Sequence, residues 1–199
     1  FSVLMSRYSG QADIAIGTPV ANRPHKELED LIGFFINNLV LRIDLGADPD
    51  FAALLKQTRA VALQAYAHQD IPFEQLVEQL NPQRSASYSP LFQVAFSLQN
   101  VPEMRASQAD FALTPVDFNE GERAYSRFDL WLEFTEAPQG LMGNLEYNSD
   151  LFDESTIKRL LQHYQRLLAA VVAAPETRVS QLSFLGQDEH QQQQDWNST

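Results

Sequence analysis

The sequence predicts an α/β fold, a two-layer sandwich in which helices cover a mixed β-sheet. Three observations carry that reading. Apolar residues recur at helical spacing in two long stretches, 51–67 and 157–171. They alternate with period two in shorter runs, 35–45, 92–98 and 128–134 among them. The order helix, strand, helix, helix, strands, helix then builds the layers. The chain of 199 residues is long enough for one sizeable core.

Phe1 to Tyr8 reads as the end of a helix, stopped by Ser9-Gly10. Ala12 to Gly17 is a short strand with Ile14 and Ile16 on one face. TPVANRP follows as an ordered loop, because proline fixes φ and biases its predecessor toward extended backbone. A short helical piece around Lys26 to Ile32 leads into a strand of about ten residues from Phe35 to Leu45. Asn37 interrupts the apolar face of that strand, as a satisfied buried amide or as a group lining a pocket.

Asp48-Pro49 predicts a cap and first position for a helix whose stripe runs from Phe51 to Tyr66. Asp70 is the predicted cap of the next helix, with Pro72 in its first turn and Phe73, Leu76, Val77 and Leu80 facing inward. Four strand-like runs follow: Phe92 to Gln99, Phe111 to Phe118, Phe128 to Thr135, and Gly140 to Tyr147. The last helix is capped by Asp153 and stopped by Pro175. Its stripe, Ile157, Leu160, Leu161, Tyr164, Leu167, Leu168 and Val171, is worth roughly 1.5–3 kcal/mol per buried side chain before entropy. It must therefore pack on a sheet. Residues 186–199, with their glutamine run, read as a linker too polar to hold a core, so the domain spans 1–185.

Composition limits the function. The net charge is −12 and the sparse cations form no basic block, which argues against nucleic acid as a partner. No apolar run has the length of a bilayer span, so no membrane partner is expected. There are no cysteines, which excludes thiolate chemistry and agrees with a reducing cytoplasm. The chain opens on FSVLMSRYSG without an initiating Met, as an excised piece of something longer would. No pair among His25, His68, His163 and His190 has metal-ligand spacing, so no metal is expected. There is no GxSxG elbow and no phosphate-cradling or dinucleotide-binding loop. His68 stands in the dense motif HQDIPFE and is either a general base oriented by Asp70 or a polar joint between two helices. Arg23 is either a surface cation or the fixed partner of a carboxylate.

Five segments carry a family resemblance. IGFFINNLVLR (32–42) resembles the IGxFVNT motif of condensation domains from nonribosomal peptide synthetases, and HQDIPFE (68–74) is similar to that family's HQD-x-PFE. RSASYSPL (84–91) resembles RDxSRNPL, matching at Arg84, Ser87, Pro90 and Leu91 and departing at Ser85, Tyr88 and Ser89. GTPVANR (17–23) and RFDLWLEF (127–134) are also typical of it, and the tail resembles the linker into an adenylation domain. The resemblance implies a chloramphenicol-acetyltransferase-like lobe, one of two that enclose a tunnel. Phosphopantetheine arms of donor and acceptor peptidyl carrier proteins enter this tunnel from opposite faces; no cofactor is bound directly. There the acceptor amine attacks the donor thioester and an amide forms.

The family signature HHxxxDG belongs to the N-terminal lobe and does not occur in this sequence. The resemblance is therefore to the C-terminal lobe, which has no catalytic residue of its own and should be inactive alone. Its implied partners are the N-terminal lobe, the two carrier proteins and an adjacent adenylation domain. Carried over by position, Arg23 resembles the arginine that pairs with the signature's aspartate and supports the active site. Gly17 and Thr18 fall in the tunnel floor, and Asn37 and Asn38 match the Asn-Thr near the tunnel, with Asn38 a departure. Gly33, Asp70, Pro72, Phe73, Arg84 and Pro90 are motif residues with structural roles. A crossover that latches onto the other lobe is expected within Glu103 to Arg127. Two other readings are a non-catalytic lobe that docks carrier proteins or the adenylation domain, and part of a related cyclization or epimerization domain.

Overall fold

The computed structural model describes residues 1–23, 25–28, 30–83, 85, 88–99 and 126–197. Its elements are helix α1 (Ser2–Ser9), strands β1 (Asp13–Val20) and β2 (Asn37–Asp44), helices α2 (Phe51–Ala67) and α3 (Phe73–Leu80), strands β3 (Val94–Gln99), β4 (Leu130–Ala137) and β5 (Gly140–Tyr147), and helices α4 (Glu154–Ala173) and α5 (Gln187–Asn197). The strands form one mixed sheet in the order β2-β1-β3-β4-β5. The outer pairs β1–β2 and β4–β5 are antiparallel, and β1–β3 and β3–β4 are parallel. This is the predicted mixed sheet with helices.

The core lies between the sheet and helices α1, α2 and α4. Ile14, Ile16, Ile43, Leu130 and Leu132 from the strands meet Leu4, Leu54, Leu160 and Leu167 from the helices. That side of the sheet is apolar at every second residue, which is why period two was a sufficient signal. After α4 the chain returns along the start of α2. Arg178 bridges to Asp50, and the Asp48 carboxylate accepts hydrogen bonds from the Ser180 N–H at 2.9 Å and the Ser180 hydroxyl at 2.8 Å.

Several boundaries differ from the sequence reading. β1 does not end at Gly17 but runs through Thr18 and Pro19 to Val20. Pro19 is tolerated because the described pairing with β3 ends at Gly17, so its missing N–H removes no ladder bond on that side. The helical piece at 26–32 is a single 3₁₀ turn, Lys26–Leu28, and β2 begins at Asn37. The cap of α2 is Asp50, whose side chain accepts from Ala53 N–H; Asp48 instead has φ +48 and faces Ser180. Asp70 does not cap α3, whose cap position is Pro72. Asp153 does sit at the cap of α4, without a side-chain bond to the helix, and Leu168 of the predicted stripe is 41% exposed. Residues 187–197, within the stretch read as a linker, form the helix α5. The expected strand Phe111 to Phe118 and nearly all of the expected crossover lie outside the described residues, as do Arg84 and Ser87.

Candidate functional site

The two dense motifs meet at one side chain. Asn37 opens β2 and is 8% exposed. Its Nδ2 donates to the carbonyls of Gln69 and Ile71, both at 2.8 Å. Its Oδ1 accepts from the N–H of Asn38 at 2.9 Å and from the N–H of Phe73 at 3.0 Å. All four hydrogen-bonding positions of the amide are thereby used. Pro72 has no side chain with which to cap α3, so Asn37 supplies the cap from another element. Asn37 is thus a satisfied buried amide and also lines the cavity described below, so both alternatives hold, and its amide is the clasp that holds the loop 68–73 on β2.

Phe73, fixed by that clasp, starts an aromatic chain. Its ring meets Phe92 edge-on with centroids 5.6 Å apart; Phe92 meets Phe128 at 5.3 Å, and Phe128 meets Trp131 at 6.1 Å. Phe92 is 1% exposed and lies directly on Gly17, where a Cβ would stand 2.0 Å from the ring. Only glycine permits that approach. The chain enters β3 through a three-residue turn closed by Phe92 N–H to the Pro90 carbonyl at 2.9 Å, with Leu91 at φ +68. A leucine in the left-handed region is strained, and this turn drives Phe92 inward. Trp131 is fixed from the other side: its Nε1–H donates to the Ser97 hydroxyl at 3.1 Å. Ser97 and Gln99 in turn donate to the Glu133 carboxylate at 3.2 and 3.0 Å.

These contacts wall a cavity of about 570 Å³. Pro19 contributes from the end of β1 and Asn22 from just after it, Phe34 to Asn38 from the first motif, Asp70, Pro72, Phe73 and Glu74 from the second, and Arg127, Phe128 and Trp131 from the RFDLW segment. Three segments separated in sequence by some thirty to sixty residues therefore share one wall. Within RFDLW the side chains divide. Asp129 and Leu130 turn to a second cavity of about 450 Å³ behind α1, where burial pushes the Asp129 carboxyl above its usual range.

The other sequence-predicted residues are placed as follows. Thr18 is buried, with Leu39 as its β2 partner, and Gly17 lies under Phe92; neither lines the cavity. Asn38 does line it. Arg23 donates to the Leu28 carbonyl and lies over the Phe35 ring, 4.2 Å from its centroid. Gly33 leaves room for that ring, since a Cβ there would come within 2.9 Å of it. Pro90 closes the turn before β3. His68 ends α2 with its side chain exposed; its N–H meets the Ala65 carbonyl and its own carbonyl accepts from Ile71 N–H. Among the described residues Asp70 makes no bond to it, and the histidine stands at the joint between α2 and α3.

Sequence reasoning missed Trp131 and Asn22 as lining residues of the cavity, and Phe92 as the ring that lies on Gly17. Phe92 and Trp131 read as ordinary strand aromatics; the signals available were the bare Gly17 opposite one and the single indole N–H of the other, which demands a partner when covered. Asn22 carried a signal in its loop position between two prolines.

Comparison with known proteins accounts for the pattern of motifs. The condensation-domain family model matches residues 1–194. The chain is 46% identical over 200 residues to one of the linear gramicidin synthase proteins of Brevibacillus parabrevis, matching along 100% of its own length and 4% of that protein's. Among solved structures, a holo four-domain nonribosomal peptide synthetase bound to AMP and glycine superimposes with a TM-score of 0.82 at 27% identity, over 94% of this chain and 15% of that one. The X-domain from teicoplanin biosynthesis gives 0.77 at 29% identity, over 92% of this chain and 42% of that one. The chain thus spans a small part of the curated relative and under half of the X-domain chain. By the family match along nearly all of its length, it belongs to the condensation-domain family.

Proposed function

We propose that this chain is the C-terminal lobe of a condensation domain and forms one wall of the tunnel in which nonribosomal peptide bonds are made. The observation that carries the proposal is the convergence of 34–38, 70–74 and 127–131 on one cavity. Coverage of 42% of the X-domain chain supports a lobe rather than a complete two-lobed domain. In the reaction the acceptor amine nitrogen attacks the donor thioester carbonyl. A C–N bond forms, the C–S bond breaks, and the departing thiol takes up the proton the amine loses. This lobe shapes and positions, while the acid/base group belongs to the N-terminal lobe. Arg23, at the cavity end of β1, is the residue that would face that lobe's aspartate. The carrier proteins, with their phosphopantetheine arms, and an adjacent adenylation domain are the partners this reading requires.

The test compares amide formation from donor and acceptor carrier-protein thioesters by the 199-residue chain and by a longer protein that includes the preceding lobe. Product is expected from the longer protein alone. Product from the short chain would place the chemistry on residues of this lobe. No product from either would overturn the assignment.

A further inference from the structure

Trp131 lines the 570 Å³ cavity, and the groups that aim its ring stand behind that wall. Side chains two apart on a strand share a face, so Trp131 and Glu133 stand together on β4, as do Ser97 and Gln99 on β3. Ser97 is the register partner of Glu133. It is 5% exposed, and neither it nor Glu133 lines the cavity.

Donor and acceptor chemistry leaves these groups one arrangement. An indole N–H only donates, and a carboxylate only accepts. The Ser97 hydroxyl lies between them, 3.1 Å from Trp131 Nε1 and 3.2 Å from Glu133 Oε2. It must therefore accept from the first and donate to the second. Among the described residues Glu133 has no cationic partner, and its carboxylate is held by the Ser97 hydroxyl and by Gln99 Nε2 at 3.0 Å. Two contacts then define the indole: its N–H on Ser97, and its ring edge-on to Phe128 at 84°. Without the first, the ring can turn to another rotamer. We propose that Ser97, its hydroxyl aligned by Glu133, is a positioning residue for the reaction. It acts through Trp131, holding the indole as a fixed part of the wall along which a thioester-bound chain lies. This inference rests on the condensation reading above. The indole belongs to the wall and not to the reacting atoms, so it binds ground and transition states alike. Its displacement is read in KM and not in kcat.

The test uses the longer protein that includes the preceding lobe, isotope-labelled at tryptophan nitrogen. The Trp131 indole resonance is assigned by its absence in Trp131→Phe. Ser97→Ala is expected to move that resonance and to speed the exchange of its proton with solvent. Glu133→Leu should act in the same sense, and Glu133→Gln, which keeps an acceptor for the hydroxyl, should do so less. In amide formation, Ser97→Ala is expected to raise KM about fivefold for one of the two carrier-protein thioesters, the size of one net hydrogen bond. Which thioester responds shows whose arm passes Trp131. In Trp131→Phe, which keeps a ring but has no N–H to hold, Ser97→Ala should leave KM within about twofold. An unmoved indole resonance in Ser97→Ala overturns the inference, as does an equal KM effect in both backgrounds or a loss confined to kcat. If the wild type makes amide bonds while the resonance stays put, this inference alone fails. If it makes none while the resonance moves, the condensation reading fails instead.

Discussion

The Asn37 amide serves four backbone groups, three of them belonging to residues 32 to 36 positions away. Asn37→Leu keeps the volume but orphans the Phe73 N–H and the Gln69 and Ile71 carbonyls. At roughly 1–3 kcal/mol for each group left unsatisfied, with water relieving part of it, the expected loss is about 3 kcal/mol in urea unfolding. A loss under about 0.5 kcal/mol, the scatter of an ordinary surface substitution, would show that the clasp is dispensable. Gly17→Ala places a methyl inside the Phe92 ring, and overpacking of this kind costs about 1–3 kcal/mol. The substitution Phe92→Leu should be harmful alone yet partly rescue Gly17→Ala, and a double-mutant cycle on Tm checks the coupling. Sequence alone marked Asn37 as anomalous, an amide on an apolar strand face. It could not show what satisfied it, because the partners are main-chain carbonyls that carry no residue-specific signal. Gly17 was visible as a motif residue, while the ring that requires it lies far along the chain.

Helices and strands announced by apolar periodicity were legible, and those held by polar contacts were not. The helix α5 is the clearest case, since it has no apolar stripe and the Glu189 carboxylate ties it to α4. Glu189 accepts from the Gly186 N–H, pairs with Arg166 at 2.8 Å, and meets His163 Nε2 at 2.7 Å; His163 Nδ1 in turn meets the Tyr8 hydroxyl at 2.7 Å. His163 is 4% exposed, so a residue that read as one polar position on α4 is the link between α1 and α5. The Gly186 N–H, followed by His163 and Arg166, holds the Glu189 carboxyl at about 2, below its usual 4.5. A folded-state value below the unfolded one means stability that is complete above about pH 4.5 and lost as pH falls toward 2. The Tm difference between wild type and Glu189→Gln should therefore be constant above about pH 5 and shrink below it. A difference that does not change with pH would refute the anchoring role. The extension of β1 through Pro19 was hidden for a related reason: proline reads as a breaker unless the strand's neighbours are known.

The sandwich as a whole followed from the order of helical and strand periods, and it stands. Strand order did not, because β1–β3 and β3–β4 are parallel pairs whose crossovers leave no local trace in either strand. The cavity was legible only as a set of motifs whose common location is a property of the folded chain. Two of its lining residues, Phe34 and Ile36, are exposed, Phe34 at 88%. The Asn37 clasp also bears on how such domains can be recombined. A chimaera whose junction falls between residues 38 and 68 takes the amide from one parent and the loop it grips from the other. Geometry matched within each parent is then not matched across the seam. Splices on either side of 37–73 carry lock and ward together, and that interval is the smallest block that can be exchanged without remaking the fit.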